Sequence, residues 1–152
     1  MPDLPASNRL RIGRYAESSR IYLLTINTRD REPIFKDFFL GRGVVNQFRC
    51  AQDQGFANSL AWVVMPDHFH WLIELRQGSL GGLVQRTKSL TTKAVKQSTG
   101  RTTSLWQRGF HDRALRREED LVKMARYVVA NPLRAGLVEK LGDYPLWDAI
   151  WV

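Results

Sequence analysis

The chain is 152 residues long and 17.5 kDa, the length of about one domain that can bury roughly two thirds of its unfolded surface. A composition of 43% hydrophobic and 25% charged residues excludes fibrous and wholly disordered classes, and a single cysteine, Cys50, excludes an intrachain disulfide framework and a Cys-rich zinc site. Twenty-three Lys plus Arg against fifteen Asp plus Glu leave a net charge of +8, a surplus that points first to phosphate polymers, although ribosomal and membrane-surface proteins share it.

Met1 to about Ser19 reads as a loose N-terminal arm on one domain spanning 1–152, without the apolar core of a signal peptide. No apolar run approaches the ~20 residues of a membrane span, so the expected location is the cytoplasm with no membrane partner. Arg20 to Thr28, rich in β-branched and aromatic residues, reads as a strand. Phe35, Phe38, Phe39, Val45 and Phe48 recur near helical spacing and predict a helix from Pro33 to about Gln54, with Gly41 and Gly43 weakening its middle. Ala57–Met65 and His68–Arg76 read as a hairpin turning at Pro66-Asp67.

Leu80, Leu83, Val84, Thr87, Thr91, Ala94 and Val95 form the apolar stripe of a helix reaching about Ser98, with Arg86, Lys88, Lys93 and Lys96 on a basic outer side. Phe110–Leu115 reads as a short strand and Arg117–Asn131 as a helix stopped by Pro132. Tyr144, Trp147 and Trp151 suggest a docked, amphipathic final turn. This order predicts an α+β, ferredoxin-like (RRM-like) antiparallel sheet with packed helices. RNA-recognition modules share it, so fold alone leaves an enzyme and a noncatalytic nucleic-acid-binding module both open.

Alternation along the second hairpin strand puts Phe69, Trp71, Ile73 and Leu75 on one all-apolar core face. His68, His70, Leu72, Glu74 and Arg76 then share the opposite surface, where two imidazoles can converge on one divalent ion. Histidine pairs two apart also arise by chance on polar strand faces. In the last helix, residues placed at ~100° intervals gather Leu121, Val122, Ala125, Val128 and Val129 into a buried arc, and Tyr127 falls on the far side with Asn131, Asp120, Lys123 and Met124. A tyrosine there can simply rest half-buried against a loop. Taken together with the histidines, it reads as a nucleophile for a metal-polarised phosphodiester, conserving bond energy in a phosphotyrosine.

The segments Met65–Trp71 (MPDHFHW), Leu105–Arg113 (LWQRGFHDR) and Tyr127–Val138 (YVVANPLRAGLV) resemble the REP-associated tyrosine transposases, within the HUH single-tyrosine transposases. Phe69 stands at the bulky apolar position between the histidines. The resemblance covers about Arg20 to Tyr144, and its three motifs in this order are specific. It implies that His68 and His70 bind a divalent metal, Mg or Mn, that Tyr127 is the nucleophile, leaving a 5′-phosphotyrosine and a free 3′-hydroxyl, and that Asn131 is a third ligand. It also implies cleavage and rejoining of single-stranded DNA with hairpins of REP-like palindromic type, by a monomer rather than a homodimer. Asp67 departs from the more usual Asn, either adding a carboxylate near the metal or serving the turn. Arg108, Arg113, Arg116, Arg117, Lys123 and Arg126 form a cationic cluster close in sequence to Tyr127, and phosphate contact is their expected role. His111 is expected to face either DNA or a loop, and Trp106 to be buried.

Overall fold

The computed structural model describes residues 20–150. Strands β1 (Ile21–Asn27), β2 (Ala57–Met65), β3 (His68–Leu75), β4 (His111–Leu115) and β5 (Trp147–Ala149) form one antiparallel sheet in the order β4-β1-β3-β2-β5. The helices are α1 (Phe38–Asp53), α2 (Leu80–Thr99), α3 (Glu118–Val129) and the single turn α4 (Asn131–Arg134). The first four strands carry the ferredoxin-like order expected from the sequence, and β5 extends it at the β2 edge. The Tyr144-to-Trp151 tail is therefore not a helical turn. Trp147 pairs with Val63 as edge strand, and Trp151 lies outside the described residues.

Two apolar layers sandwich the sheet. On one side Phe69, Trp71, Ile73 and Leu75 of β3 meet Val44, Val45, Phe48 and Ala51 of α1 and Leu83, Val84 and Val95 of α2. Phe48 stacks on Trp71 with ring centroids 4.4 Å apart. On the other side Ile21, Leu23, Val63 and Leu72 meet Leu121, Ala125, Val128 and Val129 of α3. Each face buries apolar area worth roughly 25 cal/mol per Å². The face carrying His68 and His70, expected to be surface, is thus covered by α3, because β1, β2 and β4 also turn apolar side chains that way.

Local chemistry sets the boundaries. A short 3-10 turn at Ile34–Lys36 replaces the predicted first turn of the helix, which starts only after Asp37, whose carboxylate accepts from the amides of Phe39 and Leu40. Gly41 is buried where a Cβ would run into the Leu146 side chain, so the glycine permits close docking of the C-terminal segment on α1. Ser79 caps α2 by accepting from Gly82 N at 3.0 Å. Pro132 does not end α3. That helix stops at Val129, and Pro132 sits in the first turn of α4, where its missing N–H costs nothing. Among the described residues no helix is long and apolar enough to cross a membrane.

Candidate active site

Sheet register gathers the chemistry. His70 faces Thr25 on β1 and Thr25 faces His111 on β4, so these three share one row and one face, and His68 follows one row on, opposite Asn27. The His68 and His70 ring centroids are 5.0 Å apart. Each ring is held at Nδ1 by an oxygen: His68 lies 2.7 Å from Asp67 Oδ1, and His70 lies 2.8 Å from Thr25 Oγ1. Nδ1 of each ring is thereby engaged, which sets the ring orientation and leaves Nε2 as the nitrogen that could hold a metal. Asp67 serves this outer role, with its second oxygen accepting from Arg31 Nε at 3.0 Å. Arg31 and its neighbour Asp30 both adopt positive φ, 56° and 55°. That conformation is uncommon for two successive non-glycine residues, and it brings the guanidinium beside the histidine pair.

Electrostatics keep the pair neutral. Burial drives the His70 imidazole down to about 3, and the nearby His68, Arg134 and Arg31 push it the same way. Burial also lowers His68, against the opposing pull of Asp67. Burial raises the Asp67 carboxyl, but the hydrogen bonds from His68 and Arg31 outweigh it and hold the group below its ordinary value. Both imidazoles therefore present lone pairs at neutral pH.

The exposed side of α3 supplies the second half. Tyr127 is 46% exposed, and its ring centroid lies 5.8 Å from that of His70 in an edge-to-face arrangement. Leu23, Thr25, His70, Arg113, Asp120, Lys123, Met124 and Tyr127 line a cleft of about 500 Å³. Asn131, at the break between α3 and α4, places its amide nitrogen 3.4 Å from His68 Nε2. Rotating that amide exchanges nitrogen for oxygen. The donor set is then two imidazole nitrogens and one amide oxygen, which fits a divalent ion whose remaining positions are filled by phosphate oxygens. Among the described residues no group of three or more His, Cys, Asp or Glu side chains completes a metal site unaided.

The structure thus brings His68, His70, Tyr127 and Asn131 together, with Arg113 and Lys123 lining the same cleft. The remaining cations behave differently. Arg117 is tied to Glu119 and Asp120 at the start of α3. Arg108 lines a separate cleft with Arg29 and Arg31, Arg116 is exposed and Arg126 half-buried. Glu74 lies toward the far end of β3, bonded to Asn58 at 3.0 Å. Lys88, expected on a solvated basic face, donates to the carbonyls of Gln107 and Gly109. His111 is exposed, and Trp106 is buried with its N–H shared between the Lys88 carbonyl and the Thr92 hydroxyl. Thr25, Arg31 and Arg134 were not found from the sequence. Their partners are 45 and 36 residues away for the first two, and Arg134 reaches Tyr127 only across the helix break.

Comparison with known proteins decides the family. The family model described as "Transposase IS200 like" matches residues 17–131, most of the chain. The chain belongs to the IS200-like transposases. The family cuts and transfers DNA strands, and the resemblance to REP-associated tyrosine transposases holds. A REP-associated tyrosine transposase of Escherichia coli strain K12 is 26% identical over 134 residues, spanning 87% of this chain and 78% of the relative. A Haemophilus influenzae relative whose name carries the same words is 26% identical over 141 residues, spanning 82% and 77%. The fold is shared with a solved REP-associated tyrosine transposase bound to a REP hairpin, at a TM-score of 0.72 and 22% identity over 85% of this chain and 76% of that one.

Proposed function

We propose that this transposase cleaves and rejoins single-stranded, hairpin-containing DNA through a covalent bond to Tyr127, with His68, His70 and Asn131 holding a divalent metal, Mg or Mn. The observation that carries the reading is the 5.8 Å approach of the Tyr127 ring to His70 in a cleft that also holds Arg113 and Lys123. The hairpin partner is inferred from the relatives' REP association, and the basic surplus of the chain agrees with it.

In cleavage, Tyr127 Oη forms a bond to the scissile phosphorus as the bond from phosphorus to the 3′ oxygen breaks. The phenol proton leaves to solvent in the open cleft, and the 3′ oxygen departs as a hydroxyl after taking up a proton. The product is a 5′-phosphotyrosine, and attack by a 3′-hydroxyl reverses the exchange without an outside energy source. When bound, a divalent ion supplies charge neutralisation and polarisation of the phosphate. Arg113 and Lys123 hold backbone phosphates of the incoming strand. Asp67 and Thr25 fix the two imidazoles so that no reorientation accompanies substrate entry. A monomer suffices for this arrangement, since Tyr127 and both histidines meet within one chain.

A denaturing gel of the protein mixed with a hairpin-bearing single strand and Mn²⁺ tests the reading. A slower covalent band is expected with the natural chain and not with Tyr127→Phe. Cleavage without any covalent species contradicts it.

A further inference from the structure

Arg134 is exposed on α4, and its guanidinium meets Tyr127 twice. Its guanidinium carbon lies 3.9 Å over the Tyr127 ring centroid, and one N–H donates to the Tyr127 carbonyl at 2.7 Å. That carbonyl is among the last four of α3, which an α-helix leaves without intrahelical partners. One side chain therefore satisfies a carbonyl in the last turn of α3 and covers the ring of the same residue. The interruption between α3 and α4 makes this possible, because the new turn of Asn131–Arg134 returns Arg134 to Tyr127.

We infer that Arg134 is a positioning residue that clamps Tyr127 against His70 in an attack-ready orientation; this rests on reading Tyr127 as the nucleophile. The geometry has two sides. The edge-to-face contact with His70 restrains the ring on its inner side, and the planar cation restrains it from above. Without the cation, a ring nearly half exposed gains rotamers that turn its hydroxyl away from the histidine pair. A helix cap alone would need only the hydrogen bond to the carbonyl, and a stack over the ring would be superfluous. Arg134 also retains N–H donors that no contact in the described structure uses.

Three variants separate ring positioning from capping. Arg134→Lys keeps a cation and a donor, Arg134→Gln keeps a donor without charge, and Tyr127→Phe removes the hydroxyl. Each is assayed as a folded protein, verified by circular dichroism and thermal melting, for hairpin affinity and for the rate of covalent adduct formation at saturating hairpin DNA with Mn²⁺. For Arg134→Gln the adduct rate is expected to fall about tenfold to a hundredfold, the scale of a misplaced reacting group, with hairpin affinity changed less than about threefold. Arg134→Lys is expected to recover part of the rate. An Arg134→Gln rate matching the natural chain, or a loss seen only in hairpin affinity, or an Arg134→Lys rate no better than Arg134→Gln, overturns the inference. Adducts that persist in Tyr127→Phe remove the nucleophile reading itself, and this inference with it, whereas normal behaviour of Arg134→Gln alone leaves that reading standing.

Discussion

Thr25 Oγ1 lies 2.8 Å from Nδ1 of His70, across the β1–β3 pairing that makes the two residues direct neighbours. A hydroxyl on one central strand thus orients the imidazole on the next, and sheet register becomes site geometry. Partners of this kind typically change metal affinity about tenfold to a hundredfold when removed. Thr25→Val, which keeps shape and strand propensity, is expected to weaken Mn²⁺ binding by that order, measured by titration calorimetry or by the free Mn²⁺ resonance signal. Unchanged affinity would separate Thr25 from the site.

Burial of a neutral His70 makes folding sensitive to acid. Its folded value, about 3, lies below the ordinary 6.5 of the unfolded chain, so the unfolded state binds more protons between those two values. Stability present above 6.5 is lost as pH falls toward 3, at a limiting slope of about 1.4 kcal/mol per pH unit for one proton. Asp67, held below its ordinary value, also withdraws stability on acidification, though at lower pH. Denaturant unfolding from pH 6.5 to 4.5 is expected to show a shallower slope in His70→Gln than in the natural chain. Parallel slopes would deny that His70 is buried in its neutral form.

Arg113 and Arg117 are four residues apart in sequence and differ in setting. Arg113 lines the Tyr127 cleft, while Arg117 is spent on Asp120 at 3.1 Å. Arg113→Ala is expected to lower hairpin affinity and to reduce the slope of log affinity against log salt by about one, the signature of one lost phosphate contact. Arg117→Ala is expected to leave that slope within error. Filter-binding at several salt concentrations distinguishes them, and equal effects would contradict the division.

The contact between Tyr127 and His70 is made within one chain. A mixture of Tyr127→Phe with His70→Ala chains is therefore expected to form no more adduct than either alone. Recovery of activity on mixing would show that the tyrosine serves another subunit's histidines.

Much of this was legible because two periods are simple. Alternation by two separates His68 and His70 from Phe69 and Trp71, and the 3.6-residue period turns Tyr127 away from Leu121, Ala125 and Val128. What alternation could not show is that α3 would close over the histidine face, since that depends on Leu23, Val63 and Leu72 offering a second apolar layer from three different strands. Trp147–Ala149 was missed as a strand because three residues show no period, and its formation depends on an open β2 edge. Arg117 looked like its basic neighbours because charge in sequence does not reveal which cation an acidic helix start will hold. Asn131 meets His68 from the first position of α4, just past the end of α3, whereas Pro132 was expected to end a helix that ran on to Asn131.

The most direct measurement is to digest the covalent protein–DNA product with trypsin and sequence the nucleotide-bearing peptide by mass spectrometry. The account predicts a phosphodiester-linked nucleotide on Tyr127 alone, with a 3′-hydroxyl on the released strand. A nucleotide attached to any other side chain, or a 5′-hydroxyl on the released fragment, would contradict it.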